Sequence, residues 1–206
     1  MSSGWKTLLW LGAIAAWASA ALLLPTARLG GPVQSDPSPE LIATLMSAYL
    51  LVFTSMSAAV VLAAVLWRDG FVRALAQAFF ALIASYALWI VASVQTTLLE
   101  LDYQPHHGAY VAAGLAFSVA PLAAGISTAL AGTLGRRAGS MPFWVSAAGI
   151  AAGLFGVVNL VVYMSTVPSP LIPLKVWMTA LGAILFVWWI GAGWFMARLT
   201  FKAPNP

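Results

Sequence analysis

Long apolar stretches alternate with short polar ones along the whole chain. A helix that crosses the hydrocarbon of a bilayer needs roughly 20 predominantly apolar residues. Six stretches are close to this length or exceed it, and Lys175 is the one charged residue inside any of them. They predict six membrane-spanning α-helices, over about residues 7–24, 41–67, 74–99, 109–134, 142–164 and 171–197.

The charges between these stretches predict the orientation, because Lys and Arg accumulate in cytoplasmic loops. With a cytoplasmic N-terminus, seven of the nine basic residues lie inside: Lys6, Arg68, Arg73, Arg136, Arg137, Arg198 and Lys202. Four of the five acidic residues then lie outside: Asp36, Glu40, Glu100 and Asp102. We therefore expect an all-α integral membrane protein, a single polytopic domain over residues 1–206. Its six-transmembrane-helix bundle has both termini in the cytoplasm and no soluble domain.

The composition agrees with this class and excludes others. Hydrophobic residues make up 62% of the 206 residues, charged residues 7%, and the mean hydropathy is +0.95. A soluble domain is typically about 45–50% apolar and about 25% charged. A water-soluble enzyme and a nucleic-acid-binding domain are therefore excluded, and the absence of cysteine excludes disulfides and thiolate metal sites. The expected partners are the lipid bilayer and either other membrane subunits or a second copy in a homodimer. The expected location is the plasma membrane, as a multi-pass protein of a prokaryotic inner membrane.

The first apolar stretch has an alternative interpretation. Lys6, the apolar run after it and the small residues Ala18-Ser19-Ala20 are similar to a cleavable signal peptide. The apolar run continues through Leu22-Leu23-Leu24, beyond that cleavage site, which favours a retained helix.

Small residues predict how the fourth and fifth helices pack. Helices in lipid associate through close van der Waals contact between small residues. Small residues and Pro121 recur at steps of three and four on both helices, including Gly125, Gly149, Gly153 and Gly156. A short connection makes the two helices antiparallel neighbours, so the spacing predicts a tightly packed hairpin. The alternative is that Gly149-x-x-x-Gly153 forms a homodimer face.

Candidate chemistry is sparse. No Asp, Glu, Arg or His lies in the central part of any predicted span, and such groups are what proton-coupled carriers and pumps use at that depth. We expect no enzymatic activity and no cofactor. One cluster, Glu100, Asp102, His106 and His107, has side chains that ligate zinc or copper, although a solvated loop is the competing interpretation.

Neutral polar residues in the spans are the remaining candidates. Ser, Thr, Gln and Asn side chains in membrane helices form interhelical hydrogen bonds more often than binding sites. If a ligand site exists, we expect it between the second, third and fifth helices, near Tyr49, Ser85, Trp89 and Asn159.

Two functions fit these observations. The first is a non-enzymatic membrane protein, either an accessory or scaffold subunit or a binder of a hydrophobic, lipid-like ligand within the bilayer. The alternative is a carrier or channel for a neutral or hydrophobic solute, with hydroxyl and amide side chains along its path.

Overall fold

A computed structural model describes residues 2–26, 39–100, 107–137, 139, 141–165 and 174–201. The described residues form six long helices and no strand: α1 (Ser3–Thr26), α2 (Pro39–Leu66), α3 (Phe71–Glu100), α4 (His107–Arg137), α5 (Phe143–Ser165) and α6 (Leu174–Phe201). A turn of 3₁₀ helix, Trp67–Asp69, follows α2. All six helices are long and apolar enough to cross a membrane. The predicted all-α bundle of six membrane-length helices is confirmed.

Five of the six helices are longer than the apolar stretches that predict them, whereas α5 has the same length as its stretch. Charged residues lie inside their end turns, such as Glu40 in the first turn of α2 and Arg198 in the last turn of α6. Glu40 and Arg198 each carry the charge that opposes the helix dipole at that end, which stabilises these two end turns. Hydropathy therefore measures the length of the hydrocarbon span, whereas the helix continues into the polar interface.

The helices form a closed ring in chain order. Each helix packs on the one before and the one after it, and α6 packs back on α1. Every neighbouring pair is antiparallel, as the contact of Ser19 with Thr54 and of Gly12 with Val61 illustrates for α1 and α2. One end of the ring, here called the terminal end, therefore carries the start of α1 and the end of α6. The opposite end is called the far end.

Hydrogen bonds between helices accompany the packing of five neighbouring pairs. The partners are side-chain hydroxyl, phenol or indole groups and backbone carbonyls, at separations of 2.9–3.3 Å. They are Trp17 Nε1 to Ile190 O, Ser19 Oγ to Thr54 Oγ1, Tyr49 OH with Ser93 Oγ and Thr96 Oγ1, Ser127 Oγ to Gln77 O, and Thr128 Oγ1 to Gly149 O. The interpretation of neutral polar residues as links between helices is confirmed for these side chains.

The hairpin of α4 and α5 is the closest approach of two backbones. A Cβ atom added to Gly153 would lie 2.7 Å from Ala129 Cβ and 3.1 Å from the carbonyl oxygen of Gly125. A Cβ atom on Gly156 would lie 2.7 Å from the carbonyl oxygen of Pro121. Gly149 is enclosed in the same way by Thr128 on one side and by the Trp188 ring on the other. The predicted hairpin is confirmed, and the Gly149-x-x-x-Gly153 motif is a seam within one chain.

Large side chains fill the terminal half of the ring. The largest fully buried ones include Leu9, Leu62, Leu66, Leu134, Trp188, Phe195 and Met196. They come from α1, α2, α4 and α6, so side chains from across the ring meet at its centre. The terminal half is therefore a close-packed core.

A pair of glycine-to-alanine variants tests the seam. Alanine at either position raises helix propensity by about 1 kcal/mol over glycine. At Gly153 the added methyl group meets Ala129 and Gly125, whereas at Gly182 in α6 it meets nothing within 4 Å. We expect Gly153→Ala to lower the melting temperature in detergent and Gly182→Ala to hold or raise it. Equal melting of the two variants would contradict the seam.

Candidate functional site

A cavity of about 160 Å³ lies inside the ring, next to the packed core. Described residues of five helices line it, and none of them belongs to α5. Three reference points locate it: Ser55 near the middle of α2, Ser85 near the middle of α3 and Thr26 at the end of α1. The cavity therefore extends from the centre of the helices towards the far end, and it is partly open to the exterior.

Small residues create this space. Ala81 and Ala84 of α3, Ala120 and Ala124 of α4, and Gly182 of α6 all face it. These positions contribute at most one methyl group each, so the helices surround more volume than their side chains fill. The remaining walls are formed by larger apolar groups: Leu23, Leu51, Leu88, Val91, Pro121, Leu181, Leu185 and Trp189.

Five hydroxyl groups lie in this apolar lining, and four of them are bonded to backbone carbonyls. The bonds are Thr26 Oγ1 to Leu22 O at 2.6 Å, Ser55 Oγ to Leu51 O at 2.6 Å, Ser127 Oγ to Gln77 O at 2.9 Å, and Thr128 Oγ1 to Gly125 O and Gly149 O at 3.0 and 3.1 Å.

The fifth hydroxyl, on Ser85, makes no hydrogen bond with any described residue, although the side chain is only 5% exposed. No described lining residue carries a charge. The cavity is thus an apolar space with one hydroxyl group that no described residue engages.

Gln77 lies at the terminal side of the cavity, one helical turn before Ala81. Its side chain is 2% exposed, and its Nε2 donates to Ser127 Oγ at 3.4 Å. Its Oε1 is buried without a partner among the described residues. Ser127 therefore joins α3 to α4 at the floor of the cavity, and it does so through both the backbone and the side chain of Gln77.

The structure does not bring the four predicted ligand residues together in the lining of this cavity. Ser85 lines the cavity, whereas Tyr49, Trp89 and Asn159 are not in its lining. The Tyr49 hydroxyl is engaged by Ser93 and Thr96, and Trp89 is 43% exposed and stacked on Tyr86 with ring centroids 5.8 Å apart.

Asn159 is buried on α5, which packs on α4 and α6 rather than on α2 or α3. The expected location between the second, third and fifth helices is therefore not where the cavity lies. The cavity lies between α1, α2, α3, α4 and α6.

Of the predicted metal ligands, Glu100 is the last residue of α3 and His107 is the first residue of α4, both at the far end. Asp102 and His106 are outside the described residues, and of Glu100 and His107 the structure describes the backbone alone. In the part of the chain that is described, no three His, Asp or Glu residues are grouped to hold a metal ion. The metal cluster remains a prediction.

Two lining residues of α6, Gly182 and Trp189, are absent from the sequence-based candidates. Together with Leu185 they occupy positions i, i+3 and i+7, which is the spacing of one helix face. A glycine and a tryptophan on the same helix face are the sequence pattern that could have identified these two residues. It marks a face where a large side chain adjoins a position with no side chain.

No family model, curated protein or solved structure matches the chain. The class of this protein therefore follows from its own structure and not from similarity to a known protein. The protein is a multi-pass membrane protein of six apolar helices arranged as a closed ring.

Two serine-to-alanine variants of the lining differ in their expected effect on the ligand-free protein. Ser127→Ala removes the bond to the Gln77 carbonyl and leaves the Gln77 amide without its acceptor, which costs about 1–2 kcal/mol. Ser85→Ala removes a hydroxyl that has no partner to lose. We expect a lower melting temperature for Ser127→Ala and an unchanged or higher one for Ser85→Ala. A loss at Ser85 as large as that at Ser127 would show that Ser85 has a structural bond.

Proposed function

We propose that this protein is a non-enzymatic membrane protein that binds a small hydrophobic, lipid-like ligand in the cavity of its helix ring. The observation that carries the proposal is the apolar cavity of about 160 Å³ beside a close-packed core. Apolar cavities of roughly 150 Å³ in proteins accept ligands the size of benzene.

The position of the cavity supports binding. Protein interiors are close-packed, and atoms that line an empty space lose dispersion contacts. In the terminal half of this ring, Trp188, Phe195 and Leu62 remove such spaces. Nearer the far end of the ring, Ala84, Ala124 and Gly182 leave one open. A bound ligand would restore the missing contacts. Binding therefore explains why side chains are large in the terminal half and small around the cavity.

The chemistry of the lining supports binding rather than catalysis. General acid–base and nucleophilic catalysis use carboxylate, imidazole, amine or activated hydroxyl groups. The described lining contains hydroxyl groups without an adjacent base, and hydrocarbon elsewhere. Such a surface recognises shape and apolar area, which are the properties of lipid-like molecules.

The charge distribution supports a place in the cell membrane with the terminal end in the cytoplasm. Exposed basic residues surround the terminal end: Lys6, Arg68, Arg73, Arg136, Arg137 and Arg198. Cytoplasmic loops of membrane proteins carry such an excess. Arg136 and Arg198 also lie over the rings of Phe143 and Trp194, at 4.7 and 5.2 Å from the ring centroids. These contacts suit the membrane interface, where aromatic rings and cations meet.

A carrier for a neutral solute is the second candidate. Hydroxyl groups from four helices face the cavity, and a path for a neutral solute would use such groups. The packed terminal half opposes this function, because fully buried side chains such as Leu66, Leu134 and Met196 occupy it. Solute flux into liposomes that is lost in Gln77→Leu, at the terminal side of the cavity, would favour the carrier over the binder.

Native mass spectrometry of the protein released from lipid nanodiscs tests the proposed function. We expect a fraction of the wild-type protein to carry a co-purified neutral hydrophobic molecule. Gly182→Leu should remove that adduct, because its side chain enters the cavity at a position where a Cβ atom meets nothing.

Ala183→Leu is the matched control, because it adds similar bulk to the exposed face of α6 one residue away. The control should keep the adduct, and both variants should melt within a few degrees of the wild type. Equal occupancy in the two variants, or none in the wild type, would contradict a ligand in this cavity.

A further inference from the structure

We propose that the ligand is a neutral molecule whose buried part is about the size of one six-membered ring, and that Ser85 donates a hydrogen bond to an oxygen on that part. This inference rests on the proposed function and specifies its ligand. It is carried by the unengaged hydroxyl of Ser85, the volume of the cavity and the absence of charge from its described lining.

Ser85 differs from four other serines of the membrane helices in what its hydroxyl does. Serine in a helix commonly donates to the carbonyl four residues earlier, which satisfies the hydroxyl within its own helix. Ser19, Ser47, Ser55 and Ser57 do so here, at 2.6–2.8 Å. Ser85 has no such bond, although it is as buried as the core.

The Ser85 oxygen is open to the cavity. The other buried serine without a described partner, Ser146, has its oxygen sealed inside the protein, whereas the Ser85 oxygen is not sealed. A buried hydroxyl without a partner is unfavourable, because it has given up its hydrogen bonds to water. A ligand oxygen placed in the cavity within 2.5–3.0 Å, the usual O–H···O separation, would accept the Ser85 proton and remove this penalty.

The walls set the remaining properties of the ligand. The volume of about 160 Å³ matches one six-membered ring. Trp189 offers an aromatic surface, and Leu51, Leu88 and Leu185 offer aliphatic ones, so a ring is well accommodated. A charged ligand would lose its hydration without gaining a counter-ion in the described lining, which excludes carboxylates and amines in their ionised forms.

The test compares two probes of one ring that differ by a hydroxyl group, 4-fluorophenol and fluorobenzene. Binding to the protein in lipid nanodiscs is measured by ¹⁹F NMR, with empty nanodiscs used to correct for partition into lipid. We expect the wild type to bind 4-fluorophenol about fivefold more tightly than fluorobenzene, the effect of one net hydrogen bond.

Ser85→Ala should reduce this ratio to about one by weakening 4-fluorophenol alone, and Ser85→Thr should retain the preference because it keeps the hydroxyl. Ser57→Ala is the control, since Ser57 is exposed and bonded within its own helix. Gly182→Leu should abolish the binding of both probes.

An unchanged ratio in Ser85→Ala would overturn the role of Ser85 and leave the proposed cavity ligand in place. Binding of 4-fluorobenzoate as tight as that of 4-fluorophenol would overturn the neutral class. If neither probe binds the wild type, or if both still bind Gly182→Leu, the site is not this cavity, and the proposed function fails with the inference.

Discussion

The close approach of helix backbones is the constraint on which this structure depends. Lipid tails are as apolar as leucine, so the hydrophobic effect does not hold helices together inside a bilayer. Short-range dispersion and hydrogen bonds remain, and both require the helices to come close. Glycine supplies that proximity here: Gly125 packs against the backbone of Ala152, Gly132 against Ser146, and Gly193 receives the indole of Trp17. The contact between Gly193 and Trp17 joins α6 to α1. Glycine therefore closes the ring in the same way as it forms the α4–α5 hairpin.

A closed ring of six helices has a centre that side chains must fill. The size of these side chains differs between the two halves of the ring. Large side chains converge in the terminal half, whereas alanine, glycine and serine occupy equivalent places nearer the far end. The cavity thus follows from side-chain size and not from any break in the helices. Pro121 belongs to this region, where its ring lines the cavity and its carbonyl meets α5 at Gly156.

Sequence reasoning identifies the spans and the α4–α5 seam because both leave local signals. The spans are long intervals between charges, and the seam is a series of small residues at steps of three and four. The site leaves a weaker signal. Ser85 and Trp89 lie four residues apart on α3, so spacing alone places them on one face, yet Ser85 is buried and Trp89 is 43% exposed.

Whether Ser85 or Trp89 is buried depends on which helices flank α3. That depends on the order of the ring, which no local pattern encodes. The same order separates Asn159 from the cavity, because α5 packs on α4 and α6 and contributes no described residue to the lining. It also brings Gly182 and Trp189 of α6 into the same cavity lining as Ser85, although about a hundred residues separate them in the chain.

The closure of the ring between α1 and α6 is the central claim, and it can be tested by one cross-link. The chain has no cysteine, so a double variant, Trp17→Cys with Gly193→Cys, carries the only two thiols. A Cβ atom at position 193 lies 2.6 Å from Trp17 Cδ1, so removal of the indole leaves the two thiols within reach of a disulfide. After mild oxidation, intact-mass analysis should show a monomer that resists maleimide labelling and accepts two labels after reduction. Labelling of both thiols before reduction, as expected for a control pair of Trp17→Cys with Leu154→Cys on the exposed face of α5, would mean that α1 does not pack on α6 and that the ring is open.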